Sequence, residues 1–108
     1  MTNVIVEHMG DRYVISAAGH ANYAENGKDI VCAALSALVQ SFQFLCEEEQ
    51  ENKKCIIVSL VDEEGRYLLV VDGLGNILDS AFKMLRIGIE SLSMTYPKNI
   101  SMLREKTE

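Results

Sequence analysis

The chain has 108 residues, 48% of them hydrophobic, with sixteen acidic side chains against ten basic ones and a net charge of −6. That length and apolar content suit a single compact domain with its own core. The acidic balance, with no basic stripe, argues against direct nucleic-acid binding and favours a basic protein or peptide partner.

The opening residues, Met1 to Glu7, show no basic region followed by an apolar one, so no signal peptide is expected. Asn3 to His8 and Arg12 to Ala18 read as two strands joined by a tight turn at Met9-Gly10-Asp11. From Ile30 to about Asn52, Val31, Ala34, Leu35, Leu38, Phe42 and Leu45 recur at helical spacing and predict one buried helical face. The apolar run inside that segment, Ile30 to Val39 with Ser36 interrupting, falls short of the roughly 18 residues a bilayer requires, so no membrane association is expected.

Cys55 to Val61 and Tyr67 to Val71 form a second predicted hairpin across Asp62-Glu63-Glu64-Gly65. Leu78, Phe82, Leu85, Ile89, Leu92 and Tyr96 mark a second helix, capped by Asn76 or Asp79 and stopped by Pro97. Asn99 to Arg104 reads as a last strand. The order ββαββαβ predicts an α+β fold in which two amphipathic helices pack on a mainly antiparallel sheet. Neither linkers nor internal repeats are evident, so residues 1–108 are expected to form one domain.

The chemistry concentrates between the second strand and the long helix. Asp29 is a natural N-cap, which puts Ile30, Val31 and Cys32 in the first helical positions, where amide groups lack intrahelical acceptors. A helix start favours thiolate over thiol, and in such settings a cysteine pKa near 8.5 falls to about 3.5–7.5. The Asp29 carboxylate opposes this, and His20 is the histidine placed to offset it. At about 100° per residue Cys32 lies on the flank of the apolar stripe, whereas Cys46 lies within it as a packed small hydrophobe.

Each of these residues also has a plainer reading. A cysteine at a helix start is often simply buried, and His20 would serve equally as a strand-end hydrogen-bonding residue. Ser36, one turn after Cys32, either orients reacting groups or permits close packing. Asn22 to Lys28 is either a lid or an ordinary connection. His8 is read as structural or surface, Asp72 to Asn76 as a turn, and Glu47 to Glu51 as a solvated helix end. No metal is expected: His20, Asp29 and Cys32 lack paired ligand spacings. Three cysteines without an export signal are expected to be free thiols.

Gly19-His20-Ala21, then Gly27-Lys28-Asp29-Ile30-Val31-Cys32-Ala33-Ala34 and Ser36, resemble the signature of the bacterial ribosomal-processing cysteine protease family Prp. The resemblance extends over the whole chain in length and element order. It implies Cys32 as nucleophile, His20 as proton-transferring partner, and Asp29 and Ser36 in support. Gly19, Ala21, Asn22, Gly27 and Lys28 fall in the substrate-binding loop it implies, and by the same resemblance the segment from Asn22 to Lys28 is expected to reorganise around bound peptide. The substrate implied is the N-terminal extension of large-subunit ribosomal protein twenty-seven, cleaved by a cytoplasmic homodimer without a cofactor. In the mechanism expected, the Cys32 thiolate attacks the scissile carbonyl and His20 protonates the leaving amine, with helix-start amides binding the oxyanion. The competing readings are a non-catalytic ribosome-associated peptide-binding module and a redox-responsive thiol protein.

Overall fold

A computed structural model describes residues 1–25 and 29–107, with side chains as far as Met102. The elements are β1 (Thr2–Met9), β2 (Arg12–Ala18), α1 (Ile30–Glu51), β3 (Cys55–Glu63), β4 (Arg66–Gly73), α2 (Asn76–Thr95) and β5 (Ile100–Thr107). Their order is the expected ββαββαβ. The strands form one mixed sheet, β3-β4-β2-β1-β5, antiparallel except where β5 runs parallel to β1.

Period-two alternation fixes which strand residues enter the core. Val4 and Val6 of β1, Tyr13, Ile15 and Ala17 of β2, and Tyr67, Leu69 and Val71 of β4 share one buried face. Both helices cover that face, α1 towards β3 and α2 towards β5. The edge strand β3 carries a bulge between Ile57 and Ser59 that breaks its register with β4.

The buried stripe of α1 differs from the expected one. Val31, Leu35, Val39, Phe42 and Cys46 are buried together with Gln43, while Ala34, Leu38 and Leu45 are only partly covered. The helix is apolar around much of its circumference, so spacing alone does not choose the stripe. The sheet takes one side and α2 another, with Leu38 lying close over Gly88. Gln43 is satisfied in the core, its Oε1 accepting from the Tyr67 hydroxyl at 2.9 Å.

α1 also exceeds the apolar run read from Ile30 to Val39: its best 18-residue window has a mean hydropathy of 1.6, long and apolar enough by composition to cross a membrane. Ser36, Gln40, Ser41 and Gln43 interrupt the run without introducing charge. Its buried stripe packs on the sheet in the manner of a core helix.

The cap of α2 is Gly75, which makes no side-chain cap hydrogen bond, rather than Asn76 or Asp79. Asn76 is already the first helical residue, and Asp79 in the first turn accepts the Tyr13 hydroxyl instead. His8 stacks on Tyr13 with ring centroids 4.0 Å apart, the structural role expected of it.

Leu69, with no exposed surface on the interior strand β4, should be costly to truncate. Leu69→Ala is expected to lose about 2–5 kcal/mol in urea unfolding, whereas Met84→Ala, on an exposed position of α2, should change stability by no more than about 0.5 kcal/mol.

Candidate active site

The register of β2 with β4 continues past the end of both strands. Ala18 pairs with Arg66, and the Gly19 amide then donates to the Gly65 carbonyl at 2.9 Å. The acidic β3–β4 turn is thereby brought beside the segment that carries His20. Gly19 adopts φ +96, and a Cβ there would collide with the Met1 carbonyl, so the Gly-His motif begins with glycine for steric reasons.

This segment is tied down from both ends of the chain. Thr2 Oγ1 donates to the Gly19 carbonyl at 3.4 Å, and Asn99 Nδ2 donates to the Ala21 carbonyl at 2.8 Å. Ala21 is fully buried. Asn22 turns the chain outward with φ 58, a conformation asparagine tolerates better than most residues. Tyr23 then meets the Tyr96 ring edge-on at 5.4 Å.

Asp29 closes the loop onto the helix. One carboxylate oxygen accepts the Val31 and Cys32 amides at 3.0 and 2.9 Å, as the expected N-cap does. The other accepts the Tyr23 and Ala24 amides at 2.9 and 3.4 Å. Desolvation pushes this carboxyl up, but the amides of Cys32, Tyr23 and Ala24 together with the Cys32 thiol outweigh it and hold the pKa below its usual value.

This capping corrects one expectation. The Val31 and Cys32 amides are already bound to Asp29, and the Ala33 amide donates to the Asp29 carbonyl at 3.1 Å. These three groups are therefore not free to receive an oxyanion in this geometry.

Two adjoining clefts meet at the helix start. One, of about 240 Å³, lies between α1 and the β3–β4 turn, and its walls include Asp62, Glu63, Glu64 and Arg66. The other, of about 520 Å³, opens between α1 and the loop and includes Asn22, Asp29 and Glu25. His20, Cys32, Ser36 and Glu64 line both. Among the described residues no hydrogen bond joins the His20 imidazole to the Cys32 thiol. Gly27 and Lys28, expected in the substrate-binding loop, lie outside the described residues.

The three cysteines are free thiols in unlike surroundings. Cys32 is partly exposed at the clefts, on the flank of the core. Cys46 has no exposed surface, and burial pushes its thiol up to about 12. Cys55 is buried beside it, its thiol raised by desolvation, and its Sγ donates to the Cys46 carbonyl at 3.3 Å.

The family described as cysteine protease Prp matches residues 1–101. The chain belongs to this family. It is accordingly a cysteine protease, a hydrolase. The ribosomal processing cysteine protease Prp of Mycoplasma genitalium is 31% identical over 96 residues, covering 85% of this chain and 88% of that protein. In fold, SMU.848 from Streptococcus mutans matches with a TM-score of 0.72 at 22% identity, over 100% of this chain and 96% of its own. The essential ribosomal processing protease Prp from S. aureus, solved with a covalently linked product peptide, matches with a TM-score of 0.68 at 19% identity over the whole of both chains.

Sequence reading missed the β3–β4 turn and Asn99 as neighbours of the Prp signature. Asp62 to Gly65 carry only a hairpin signal, and their place beside His20 follows from β4 pairing with β2, which no local pattern announces. Asn99 was legible only as the edge of a strand.

Asp29→Ala is expected to cost about 1 kcal/mol at pH 7 through loss of the cap. Because the folded carboxyl titrates below its unfolded value, its contribution is present above about pH 4 and disappears as the pH falls through the lowered folded value. Urea unfolding at pH 7 and at pH 3 should therefore show the gap between wild type and Asp29→Ala narrowing in acid.

Proposed function

We propose that this chain is a single-domain cysteine endopeptidase in which Cys32 is the nucleophile and His20 its proton-transferring partner. The observation that carries the reading is the contrast among the cysteines: Cys32 lines the clefts together with His20, whereas Cys46 and Cys55 are buried with raised thiol pKa values. A thiolate is the reactive form, so a sealed, protonated sulfur is a poor nucleophile.

His20 takes the Cys32 proton and the thiolate attacks the scissile carbonyl. His20 returns the proton to the leaving amine, and water then releases the acyl-enzyme. In the present geometry the imidazole and thiol are not hydrogen-bonded, and binding of a peptide in the clefts closes the pair through movement of the loop that starts at Asn22. Asp29 holds that loop and the helix start together, and Ser36 borders the peptide one turn beyond Cys32. Gly19, Ala21 and Asn22 set the path of the chain on either side of His20, and Gly27 and Lys28 complete the peptide-binding loop.

The substrate is the N-terminal extension of large-subunit ribosomal protein twenty-seven, cleaved in the cytoplasm by a homodimer without a cofactor. Support comes from the M. genitalium relative, named as a ribosomal processing protease, and from the S. aureus structures with product and substrate peptides. The net charge of −6 suits a basic ribosomal substrate.

Incubation with the extended ribosomal protein, read by mass spectrometry, should show cleavage abolished in Cys32→Ala and in Cys32→Ser, and retained near the wild-type rate in Cys46→Ala. Cleavage by Cys32→Ala would refute the assignment. A separate measurement addresses the partner: His20→Ala should slow alkylation of Cys32 by iodoacetamide at neutral pH, and an unchanged rate would remove His20 from the pair.

A further inference from the structure

The β3–β4 turn touches the His20 side chain as well as the backbone of the residue before it. A Cβ built on Gly65 would stand 3.0 Å from His20 Nε2, 3.5 Å from Cε1 and 3.7 Å from Cδ2. The imidazole thus lies against a bare Cα, closer than it would usually stand to a methyl group. The adjacent backbone is fixed by the hydrogen bond from the Gly19 amide to the Gly65 carbonyl, so the two Cα atoms cannot easily separate to make room.

We propose that Gly65 is a positioning residue that sets where the His20 imidazole stands in the cleft it shares with Cys32. The functional part of this inference rests on His20 being the proton-transferring partner. The imidazole is exposed at the end of a flexible side chain, and among the described residues it makes no hydrogen bond that would hold it. Steric contact with the turn is what bounds it on that side. A methyl group at Gly65 should therefore displace the ring by a few tenths of an ångström rather than disrupt the core. Since a misplacement of about 1 Å can cost about a hundredfold in rate, this smaller shift should cost roughly tenfold.

Gly65 also has φ +76, so any side chain there strains the backbone independently of the contact. The chain supplies its own control. Gly10, in the β1–β2 turn, has φ +62 and nothing within 4 Å of an added Cβ. Gly10→Ala carries the same kind of backbone strain without an imidazole to push. Charged groups lining the clefts with His20 are Asp62, Glu63, Glu64 and Arg66 from the turn, with Glu25 and Asp29 opposite, and neither substitution alters them.

The test combines steady-state cleavage with NMR of the imidazole Cε1–H and Cδ2–H signals, of which this chain has only two sets, from His8 and His20. Gly65→Ala should move the His20 signals, leave those of His8 in place, and lower kcat about tenfold while KM changes by less than about twofold. Gly10→Ala should leave the His20 signals and kcat unchanged. Should Gly65→Ala fold poorly, Gly65→Asn brings the same Cβ on a residue that accepts positive φ more readily, and the same shifts are expected. Unmoved His20 signals in a folded Gly65 variant, or equal losses in Gly10→Ala, would overturn the proposal. His20 signals that move in Gly65→Ala when the unmutated protein and its His20→Ala variant cleave at the same rate would refute the catalytic role proposed for His20 and uphold the placement of the ring by Gly65.

Discussion

Pairing of Ala18 with Arg66 brings the end of β2 against the beginning of β4, and the whole site inherits its shape from that junction. The two hairpins are separated in sequence by the long helix α1, and only their lateral association through β2 and β4 makes one sheet of them. Without it the acidic β3–β4 turn would not form a wall of the cleft. The hydrogen bond from Gly19 to Gly65 extends the ladder one step beyond the regular strands, to the residue beside the histidine.

Asp29 imposes a second constraint, and it cuts two ways. Its carboxylate gathers four amides, two from the helix start and two from the loop, and so ties the loop to a terminus that would otherwise fray. The same bonds place a negative charge beside Cys32 and occupy the donors that a helix start otherwise offers to an anion. Stability at this corner is thus gained at the expense of the electrostatic assistance that helix position alone would suggest. On the proposed mechanism, activation of the thiol then falls to His20, and an oxyanion needs donors other than the Val31, Cys32 and Ala33 amides.

Much of the architecture was legible because each element carries a strong local pattern. Alternation in Tyr13, Ile15 and Ala17 and the helical spacing of Leu78, Phe82, Leu85 and Ile89 are read directly by the core. The N-cap at Asp29 was equally plain. What could not be read was long-range. The stripe of α1 that faces the sheet is decided by competition between the sheet and α2 for an almost continuously apolar helix, and Leu38 went to the second partner. Asp79 was diverted from capping by the Tyr13 hydroxyl, from a strand far earlier in the chain. In the site, the signature residues were visible and their supports were not, because Gly65 and Asn99 meet the signature through contacts between residues far apart in the sequence.

The placement of the sulfur atoms has a consequence for how the protein withstands oxidation. Cys32 and Cys46 occupy one helix, and fourteen residues at 1.5 Å each put them about 21 Å apart, three times the widest Cα separation a disulfide bridges. Cys46 and Cys55 are close to one another but sealed from solvent. The folded chain is thereby unable to quench Cys32 with a thiol of its own. Oxidants meet a single accessible thiol, and its rescue depends wholly on thiols supplied from outside the molecule.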